Sequence, residues 1–247
     1  MKKYVCVLST NSYVEGLLIL NENLKMLNSK YSLFCLINET ISKDVIKKIE
    51  ENNIEYKIVP KIMGEYIDAN NPQWFHSFDK INIFNLVEYQ KIIYLDLDLL
   101  ILKNIDNLFS KKSISMVSDH PFSNDFNSGV MVVKPNKEDY WNMLKMIDKN
   151  PKKYKGDQDL INEYFNGKIN LLPDSYNCKR AIFYEQLEVY DYRNKEKIYN
   201  NAVCIFNEND KPNIIHYIGA LKPFMVNGLF LDKYSDLYIE YLKKAKK

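Results

Sequence analysis

The chain has 247 residues, of which 46% are apolar and 27% charged, and its net charge at pH 7 is +2. This composition is typical of a soluble globular protein, and the length fits a single α/β domain over residues 1–247. So small a net charge gives no overall field that would attract nucleic acid, and no apolar run is long enough to span a bilayer. We therefore expect no nucleic-acid partner.

The first hundred residues alternate between strand-like and helix-like patterns. Apolar, strand-like runs occupy residues 4–8, 32–37, 56–59 and 91–95. The first predicted helix has an apolar face made of Val14, Leu17, Leu18, Leu24 and Leu27. Ser42 is the predicted N-cap of a second helix over residues 42–53, and a third helix is predicted over 77–89. This alternation predicts parallel βαβ units in a doubly wound sheet, with the strand at 91–95 in its centre.

The remainder of the chain has shorter elements and a less regular order. Strands are predicted at 114–118 and 129–133, and helices at 137–149 and 157–165. We therefore expect a mixed, mostly parallel sheet flanked by helices. No Gly-rich or Pro-rich linker interrupts the chain, which favours one domain.

The last residues, 231–247, form a predicted amphipathic helix with a basic tail. Its apolar positions are Tyr234, Leu237, Tyr238, Tyr241 and Leu242. The pattern favours a helix packed on its own domain, and a weak contact with an anionic membrane surface is the alternative.

The cysteines favour a reducing compartment. Cys6 and Cys35 lie in apolar strand-like runs, and the chain has no C-x-x-C pair, so buried reduced thiols are expected. The apolar start resembles a signal peptide only as far as Leu8, because Ser9 and Thr10 then interrupt it. We therefore expect a cytoplasmic protein.

The segment Asp96-Leu97-Asp98 follows the apolar strand at 91–95 and is the first candidate functional site. Side chains alternate along a strand, so the two carboxylates are expected on one face. Hard divalent cations prefer carboxylate oxygens, and ligands of open α/β sheets bind beyond the carboxyl ends of the strands. By itself, the spacing is equally compatible with a solvated strand end.

Other motifs follow the paired acids, and each alone has a structural explanation. His216 alone is typical of a satisfied interior histidine, and Asp157 alone of a helix cap. Together the ordered motifs are Leu8-Ser9-Thr10-Asn11-Ser12-Tyr13, Asp79-Lys80, Asp96-Leu97-Asp98, Asn127-Ser128-Gly129, Gly156-Asp157-Gln158 and the run from His216 to Phe224. In this order they resemble glycosyltransferase family 8, and within it the glycogenin-like members, over nearly the whole chain.

The resemblance implies a GT-A (Rossmann-like) fold, with a nucleotide-binding half at 1–100 and a sugar and acceptor half at 101–230. It implies a retaining transferase that moves a hexose, with glucose or galactose favoured, from a UDP-sugar to a saccharide or protein hydroxyl. It also implies Mn²⁺ as the cofactor, with Mg²⁺ as a substitute. Two carboxylates and an imidazole suit manganese better than magnesium, and the absence of thiolates disfavours a structural zinc site.

The resemblance also assigns roles to individual residues. Asp96, Asp98 and His216 would be the metal ligands. The donor nucleotide and sugar would be bound by Leu8, Thr10, Asn11, Tyr13, Lys80, Asp96, Asn127, Ser128, Gly219 and Lys222. Asp157 and Gln158 would be the catalytic residues at the transferred sugar.

The course of the reaction has two alternatives. A retaining enzyme can form a covalent glycosyl intermediate, or the acceptor can attack from the same face that the leaving group departs. We favour the front-face route, with Asp157 orienting donor and acceptor. The resemblance also aligns Tyr184 with the tyrosine that glycogenin-like members glucosylate on themselves, although local tyrosine packing explains that position equally.

Two other functions fit the paired acids. An aspartate pair after a strand also resembles the nucleophile motif of haloacid-dehalogenase-like phosphatases, which bind Mg²⁺. A binding protein with the transferase fold and no catalysis, such as a sugar-nucleotide sensor, is the second alternative. The sequence is compatible with a homodimer and does not specify the oligomeric state.

Overall fold

A computed structural model describes residues 1–63, 72–120, 122–191, 196–204, 211–219 and 222–225, together with 237–238, 240–241 and 243–244. It gives the backbone alone for 72–75, 181–191 and 196–204. Among the helices in these ranges, none has both the length and the apolar content that crossing a membrane requires.

The strands are β1 (Lys2–Leu8), β2 (Leu33–Asn38), β3 (Glu55–Val59), β4 (Lys91–Leu95), β5 (Leu99–Ile101), β6 (Ser115–Ser118), β7 (Phe126–Val133), β8 (Asn170–Leu172), β9 (Cys178–Asp191), β10 (Glu196–Cys204) and β11 (Ile214–Ile218). The α-helices are α1 (Val14–Met26), α2 (Lys43–Glu51), α3 (Lys137–Lys149) and α4 (Asp157–Tyr164). Every predicted strand therefore forms close to its expected bounds. The predicted helices that correspond to α1, α2, α3 and α4 also form.

The larger sheet has seven strands in the order β3-β2-β1-β4-β7-β6-β8. Its first four strands run parallel, as the βαβ pattern predicts, and β7 is antiparallel to both β4 and β6. The central position of β4, which precedes the paired acids, is confirmed.

A second sheet has the order β10-β9-β11-β5. Neither the long β9–β10 hairpin nor the three-residue strand β5 was predicted from the sequence. This sheet matters for the site because β11 pairs antiparallel with β5, directly after the turn that carries the acids.

Alternation along the strands divides the core between the two faces of the larger sheet. Tyr4, Cys6 and Leu8 pack on one face with α1 and α2, whereas Val5 and Val7 pack on the other. Burial of both faces explains why β1 is a continuous apolar run. Cys6 is in register with Cys35 on β2, and both are fully buried without a disulfide, which confirms the predicted reduced thiols.

The helices begin and pack as their sequences dictate. The Ser42 side chain accepts a hydrogen bond from the backbone N–H of Val45 at 3.4 Å, which is the predicted N-cap. In α1, the fully buried Asn23 side chain exchanges two hydrogen bonds with the backbone of Ile101, at 2.9 and 2.7 Å. This pairing ties α1 to β5.

The predicted third helix, over 77–89, is wrong in type and in bounds. The structure has a 3₁₀ helix at Pro72–Asn85 instead. Phe78, Ile81 and Phe84 recur every three residues and are all buried, and this spacing matches the three residues per turn of a 3₁₀ helix. The buried Asp79 carboxylate adds a constraint, because it accepts hydrogen bonds from Asn38 Nδ2 and from Ile62 N, both at 2.7 Å.

Part of the predicted C-terminal helix lies within the described ranges. Residues 237–238, 240–241 and 243–244 have helical backbone, and Tyr238 and Tyr241 are buried in a cluster with Tyr217 and Phe224. Tyr234, Leu242 and the last three residues lie outside the described residues.

Candidate functional site

Asp96 and Asp98 lie in the turn that joins β4 to β5. We predicted them on one face of the strand itself, but β4 ends at Leu95, so their direction is set by the turn. Two backbone hydrogen bonds fix the position of this turn. The N–H of Asp96 donates to the carbonyl of Gly129 at 2.9 Å, and the N–H of Tyr217 donates to the carbonyl of Asp98 at 3.0 Å.

His216 approaches this turn from β11, where it lies opposite Leu99 of β5. Its Nε2 lies 3.3 Å from Asp98 Oδ1 and 3.9 Å from Asp96 Oδ2. One ligand atom from each of the three residues lies within 4.8 Å of the others, which is close enough for one cation to contact all three. The structure therefore brings together the three predicted metal ligands, although His216 is more than a hundred residues from the two aspartates in sequence.

Lys222 balances the charge of Asp98. Its Nζ lies 2.6 Å from Asp98 Oδ2 and donates a second hydrogen bond to the carbonyl of Tyr217 at 2.7 Å. Burial alone would raise the pKa of the Asp98 carboxyl, but the Lys222 ammonium outweighs burial and holds that pKa well below its usual range. Asp98 is therefore an anion in the folded protein.

Asp96 is more open than Asp98, with 26% of its side chain exposed. Its Oδ1 accepts hydrogen bonds from Tyr94 Oη at 2.5 Å and from Lys80 Nζ at 3.2 Å. Burial, followed by the Asp96 charge, holds the pKa of Tyr94 well above its usual value, so Tyr94 remains a phenol that can donate.

Lys80 joins this turn to a second group of polar side chains. Its buried Nζ lies 2.7 Å from Asp157 Oδ2, 3.0 Å from Ser128 Oγ and 3.2 Å from Asp96 Oδ1. Burial favours loss of the Lys80 proton, but the Asp157 and Asp96 carboxylates outweigh it and raise the pKa of Lys80 above its usual value. Ser128 Oγ also donates to Asp157 Oδ2 at 2.7 Å. The ammonium therefore remains charged between two carboxylates.

Gln158 and Asn127 continue this polar group. Gln158 Oε1 accepts from the N–H of Ser128 at 3.2 Å, and its Nε2 donates to Asp119 Oδ2 at 3.0 Å. Asn127 Nδ2 donates to the other oxygen of Asp119 at 2.9 Å. Asp119, Asn127 and Asp157 are each at least nine-tenths buried, so their hydrogen bonds hold them in fixed orientations.

The loop after β1 reaches the same edge of the sheet. Leu8 is buried at the end of β1, and Tyr13 packs edge-on against Phe224 with the ring centroids 5.4 Å apart. The Thr10 side chain hydrogen-bonds to the Ser12 hydroxyl, and the Asn11 side chain accepts from the N–H of Ser42.

Gly219 directly follows β11, three residues after His216 and three before Lys222. Its φ of +82° is in the left-handed region, and among the described residues no atom beyond its chain neighbours lies within 4 Å of where its Cβ would be. A ligand could therefore approach this stretch of backbone closely.

Comparison with known proteins places this arrangement in a family. A sequence profile of glycosyl transferase family 8 matches residues 4–226. The chain belongs to glycosyl transferase family 8. Family 8 membership is the predicted assignment, and it gives no support to the phosphatase alternative.

Two glycogenins are among the proteins with similar sequences. The chain is 29% identical over 230 residues to Glycogenin-1 of Caenorhabditis elegans, which covers 90% of this chain and 50% of the relative. It is 26% identical over 231 residues to Glycogenin-1 of Mus musculus, which covers 90% of this chain and 65% of the relative. The chain therefore spans about half to two thirds of the length of these relatives.

Solved structures show the same fold. The galactosyltransferase LgtC, solved with donor and acceptor sugar analogues, superposes with a TM-score of 0.66 at 14% identity, over 99% of this chain and 96% of that one. The glycosyltransferase GlyE of Streptococcus pneumoniae TIGR4 gives a TM-score of 0.65 at 19% identity, over 97% of this chain and 60% of that one. The predicted GT-A fold is confirmed.

Two polar residues of this family 8 site were missed in the sequence analysis. Asp119 follows β6 directly, as Asp96 follows β4, so an acid after a strand was an available signal. Asn177 is 2% exposed and lies between His216 and Asn127, hydrogen-bonded to both. No local pattern singles out Asn177, because its partners are distant in sequence.

Gly16, in α1, is a third missed residue, and it supports the turn of the family 8 acids. A Cβ at Gly16 would lie 2.2 Å from the carbonyl oxygen of Leu97 and 3.1 Å from Cε1 of Phe224. Only a residue without a side chain lets α1 approach the Asp96-Leu97-Asp98 turn this closely.

We expect Gly16→Ala to lower the free energy of unfolding by about 1–3 kcal/mol, the usual cost of overpacking a core. Alanine in a helix interior ordinarily stabilises by about 1 kcal/mol relative to glycine, so the predicted sign is opposite to that of helix propensity. Denaturant unfolding of both proteins measures the difference. A variant as stable as wild type, or more stable, would contradict the close approach of α1 to Leu97.

Proposed function

We propose that this family 8 glycosyltransferase is a retaining, metal-dependent enzyme that moves glucose or galactose from a UDP-sugar to a hydroxyl of a saccharide or protein. The observation that carries the proposal is the position of Lys80. Its ammonium lies 3.2 Å from Asp96, at the cation end of the site, and 2.7 Å from Asp157, among polar groups suited to a sugar. One buried cation thus links the groups needed at the two sides of the scissile bond.

The side chains at the cation end fit a divalent metal ion. Asp98 Oδ1 is buried and accepts no hydrogen bond from the described residues, although it faces His216 Nε2. A buried carboxylate oxygen without a donor is costly unless a ligand occupies its lone pairs. Two carboxylates and one imidazole favour Mn²⁺, with Mg²⁺ as a weaker substitute. Held by Asp96, Asp98 and His216, the ion would stabilise negative charge on the departing diphosphate.

Gly129→Ala tests this metal site from the side of the histidine. A Cβ at Gly129 would lie 2.5 Å from His216 Cε1 and 2.9 Å from both His216 Nδ1 and Asn127 Oδ1, so the imidazole must move. We expect the dissociation constant for Mn²⁺ to rise about tenfold or more, as when the surroundings of a metal ligand are disturbed. Electron paramagnetic resonance of free Mn²⁺ measures this constant.

Gly167→Ala is the matched control for that variant. The backbone of Gly167 has a φ of +72°, and in the described part of the chain no atom beyond its chain neighbours lies within 4 Å of its Cβ position, so alanine there costs backbone strain without touching the site. Its Mn²⁺ affinity should equal that of wild type. Equal Mn²⁺ affinity in Gly129→Ala would count against His216 as a ligand.

The donor diphosphate would lie between the metal ion and Lys222. The Lys222 ammonium, already 2.6 Å from Asp98, is placed to neutralise an oxygen of the departing UDP, and the open backbone at Gly219 could approach the same phosphates. Uridine would then lie along the loop after β1, against Leu8, Thr10, Asn11 and Tyr13. The packing of Tyr13 on Phe224, two residues after Lys222, supports this arrangement.

The sugar would be held by the buried polar group around Asp157. Asn127, Asp119, Gln158, Ser128 and Asp157 form one chain of hydrogen bonds in that order, of which Asp119 was not predicted. A site that hydrogen-bonds sugar hydroxyls rejects analogues that lack them, because its own polar groups would be left unpaired. This group therefore suits a hexose.

The state of Asp157 favours front-face attack over a covalent intermediate. Its Oδ2 forms the ion pair with Lys80 and accepts the hydrogen bond of Ser128, both at 2.7 Å. These contacts stabilise the carboxylate, and a glycosyl ester at Asp157 would abolish its negative charge and leave the buried ammonium poorly compensated. Asp157 would instead orient donor and acceptor, with a leaving-group oxygen assisting removal of the acceptor proton.

Release of UDP from a panel of UDP-sugars tests the proposed function. We expect turnover of UDP-glucose or UDP-galactose with Mn²⁺, loss of turnover with a chelator, and recovery when Mn²⁺ is returned. Intact-mass analysis of the donor-loaded enzyme should show no sugar on Asp157. Binding of UDP without consumption of any donor, across saccharide and protein acceptors, would instead support the non-catalytic alternative.

Several expectations from the sequence stay predictions. The Tyr184 side chain lies outside the described residues; hexose added to wild type but not to Tyr184→Phe would identify it as an acceptor. The domain boundaries, a homodimer, a weak membrane-surface contact and a cytoplasmic location likewise stay predictions.

A further inference from the structure

We propose that Asn177 is a positioning residue that fixes the tautomer of His216, so that Nε2 carries the lone pair facing the two aspartates. This inference rests on the proposed metal role of His216. Asn177 lies outside the six motifs. It contacts Nδ1 of His216, whereas Nε2 of the same ring faces the aspartates.

The orientation of the amides follows from two ends of a hydrogen-bonded chain. The N–H of Gly129 can only donate, and it lies 2.9 Å from Oδ1 of Asn127. The Asp119 carboxylate accepts, and it lies 2.9 Å from Nδ2 of Asn127. The Gly129 N–H and the Asp119 carboxylate are therefore both satisfied by the same orientation of the Asn127 amide, with its oxygen toward Gly129.

The next link transmits this choice to Asn177. The Asn127 oxygen lies 2.7 Å from the Asn177 amide, so the group of Asn177 that faces it must be the donor, Nδ2. The oxygen of Asn177 then faces His216 Nδ1 at 2.8 Å. Because that oxygen can only accept, Nδ1 of His216 must hold the ring proton.

The consequence lies on the opposite side of the ring. With the proton on Nδ1, the Nε2 atom of a neutral His216 carries a lone pair directed at Asp98 Oδ1, 3.3 Å away. Two lone pairs facing each other at this distance repel, and a cation between them would remove the repulsion. Partners on the second nitrogen commonly fix the tautomer and direction of a metal-bound histidine in this way.

The same amide connects the metal end to the sugar end of the site. Asn177 contacts His216 through its oxygen and Asn127 through its nitrogen. Asn177→Asp should therefore separate the two contacts. A carboxylate still accepts from His216 Nδ1, but it repels the Asn127 oxygen that the wild-type amide nitrogen binds.

Two variants and a control test the proposal. We expect Asn177→Ala to raise the Mn²⁺ dissociation constant about tenfold or more. Asn177→Asp should bind Mn²⁺ nearly as well as wild type while its KM for the donor rises. Asn21→Ala removes another buried asparagine, whose side chain donates to the carbonyl of Asn52 at 3.4 Å, and should leave Mn²⁺ affinity unchanged.

Nitrogen NMR gives a readout that does not depend on metal or turnover. The chain has three histidines, so ¹⁵N-labelled imidazoles can be assigned with a His216→Gln variant. In metal-free wild type, at a pH where the rings are neutral, His216 should show a protonated Nδ1 and an unprotonated Nε2. The opposite tautomer would overturn the proposal, as would unchanged Mn²⁺ affinity in a folded Asn177→Ala. Failure of wild type to bind Mn²⁺ would instead count against the proposed function, and the NMR spectrum would still decide the tautomer.

Discussion

Asp98→Asn is expected to reduce Mn²⁺-dependent release of UDP by about a hundredfold or more, which corresponds to about 3 kcal/mol of transition-state stabilisation. The wild-type carboxylate is held as an anion by Lys222 at 2.6 Å and faces His216 at 3.3 Å. An amide keeps the shape of this side chain but loses the charge that a divalent ion and Lys222 both need. The loss should therefore appear in both metal affinity and turnover.

The measurement compares UDP release by wild type and Asp98→Asn across a range of Mn²⁺ concentrations. Asp106→Asn is a suitable control, because Asp106 is also hydrogen-bonded, to Tyr4 Oη and Ser29 Oγ at 2.8 Å and to the N–H of Lys30 at 2.9 Å, but its partners lie outside the site. Asp106→Asn should be less stable than wild type and equally active. Release of UDP that survives in Asp98→Asn would contradict the metal site.

The doubly wound half of the fold follows from local patterns that a sequence displays directly. In β1, alternate side chains are buried in the two hydrophobic clusters on opposite faces of the sheet. Tyr4, Cys6 and Leu8 lie on one face, and Val5 and Val7 lie on the other. Such a run indicates a strand that is covered on both faces, as in parallel sheets with flanking helices. The prediction succeeded where one element's own residues determine its environment.

Spacing was less decisive for the segment before β4. Phe78, Ile81 and Phe84 fit one face of an α-helix as well as a 3₁₀ helix, because both bring residues three apart close together. The structure has the 3₁₀ form, in which Asp79 is also fully buried and bonded to Asn38 and the backbone of Ile62. Those partners come from other elements, so no window of the sequence contains them.

The residues of the site likewise fall into two groups, those that a local pattern reveals and those whose contacts are distant in sequence. Asp96 and Asp98 were found from their position after an apolar strand, whereas His216 was included only through the resemblance of ordered motifs. Its approach depends on β11 pairing with β5, a strand of three residues without a distinctive pattern. Gly16 was missed for a related reason, since its importance lies in a contact with the Leu97 carbonyl, which exists only after α1 packs against the turn.

Lys80→Met is expected to lower the free energy of unfolding by about 3–5 kcal/mol, the usual cost of removing one partner from a buried ion pair. Lys80 and Asp157 each have 8% of the side chain exposed, and Nζ also lies 3.2 Å from Asp96. Methionine fills a similar volume but leaves both carboxylates without the ammonium. UDP release should fall as well, because Lys80 links the metal end to the sugar end.

The double variant Lys80→Met/Asp157→Asn separates these two effects. Removing both charges of a buried pair is often nearly neutral, so we expect the double variant to regain about half or more of the stability lost by Lys80→Met alone. Its UDP release should stay low, because Asp157 is also proposed to orient the reactants. Denaturant unfolding and UDP release, measured on the same preparations, test both statements. If the double variant is no more stable than Lys80→Met, the loss must come from another contact, such as the Tyr94 ring 4.8 Å from Nζ, and the ion pair would not be what holds Lys80 in place.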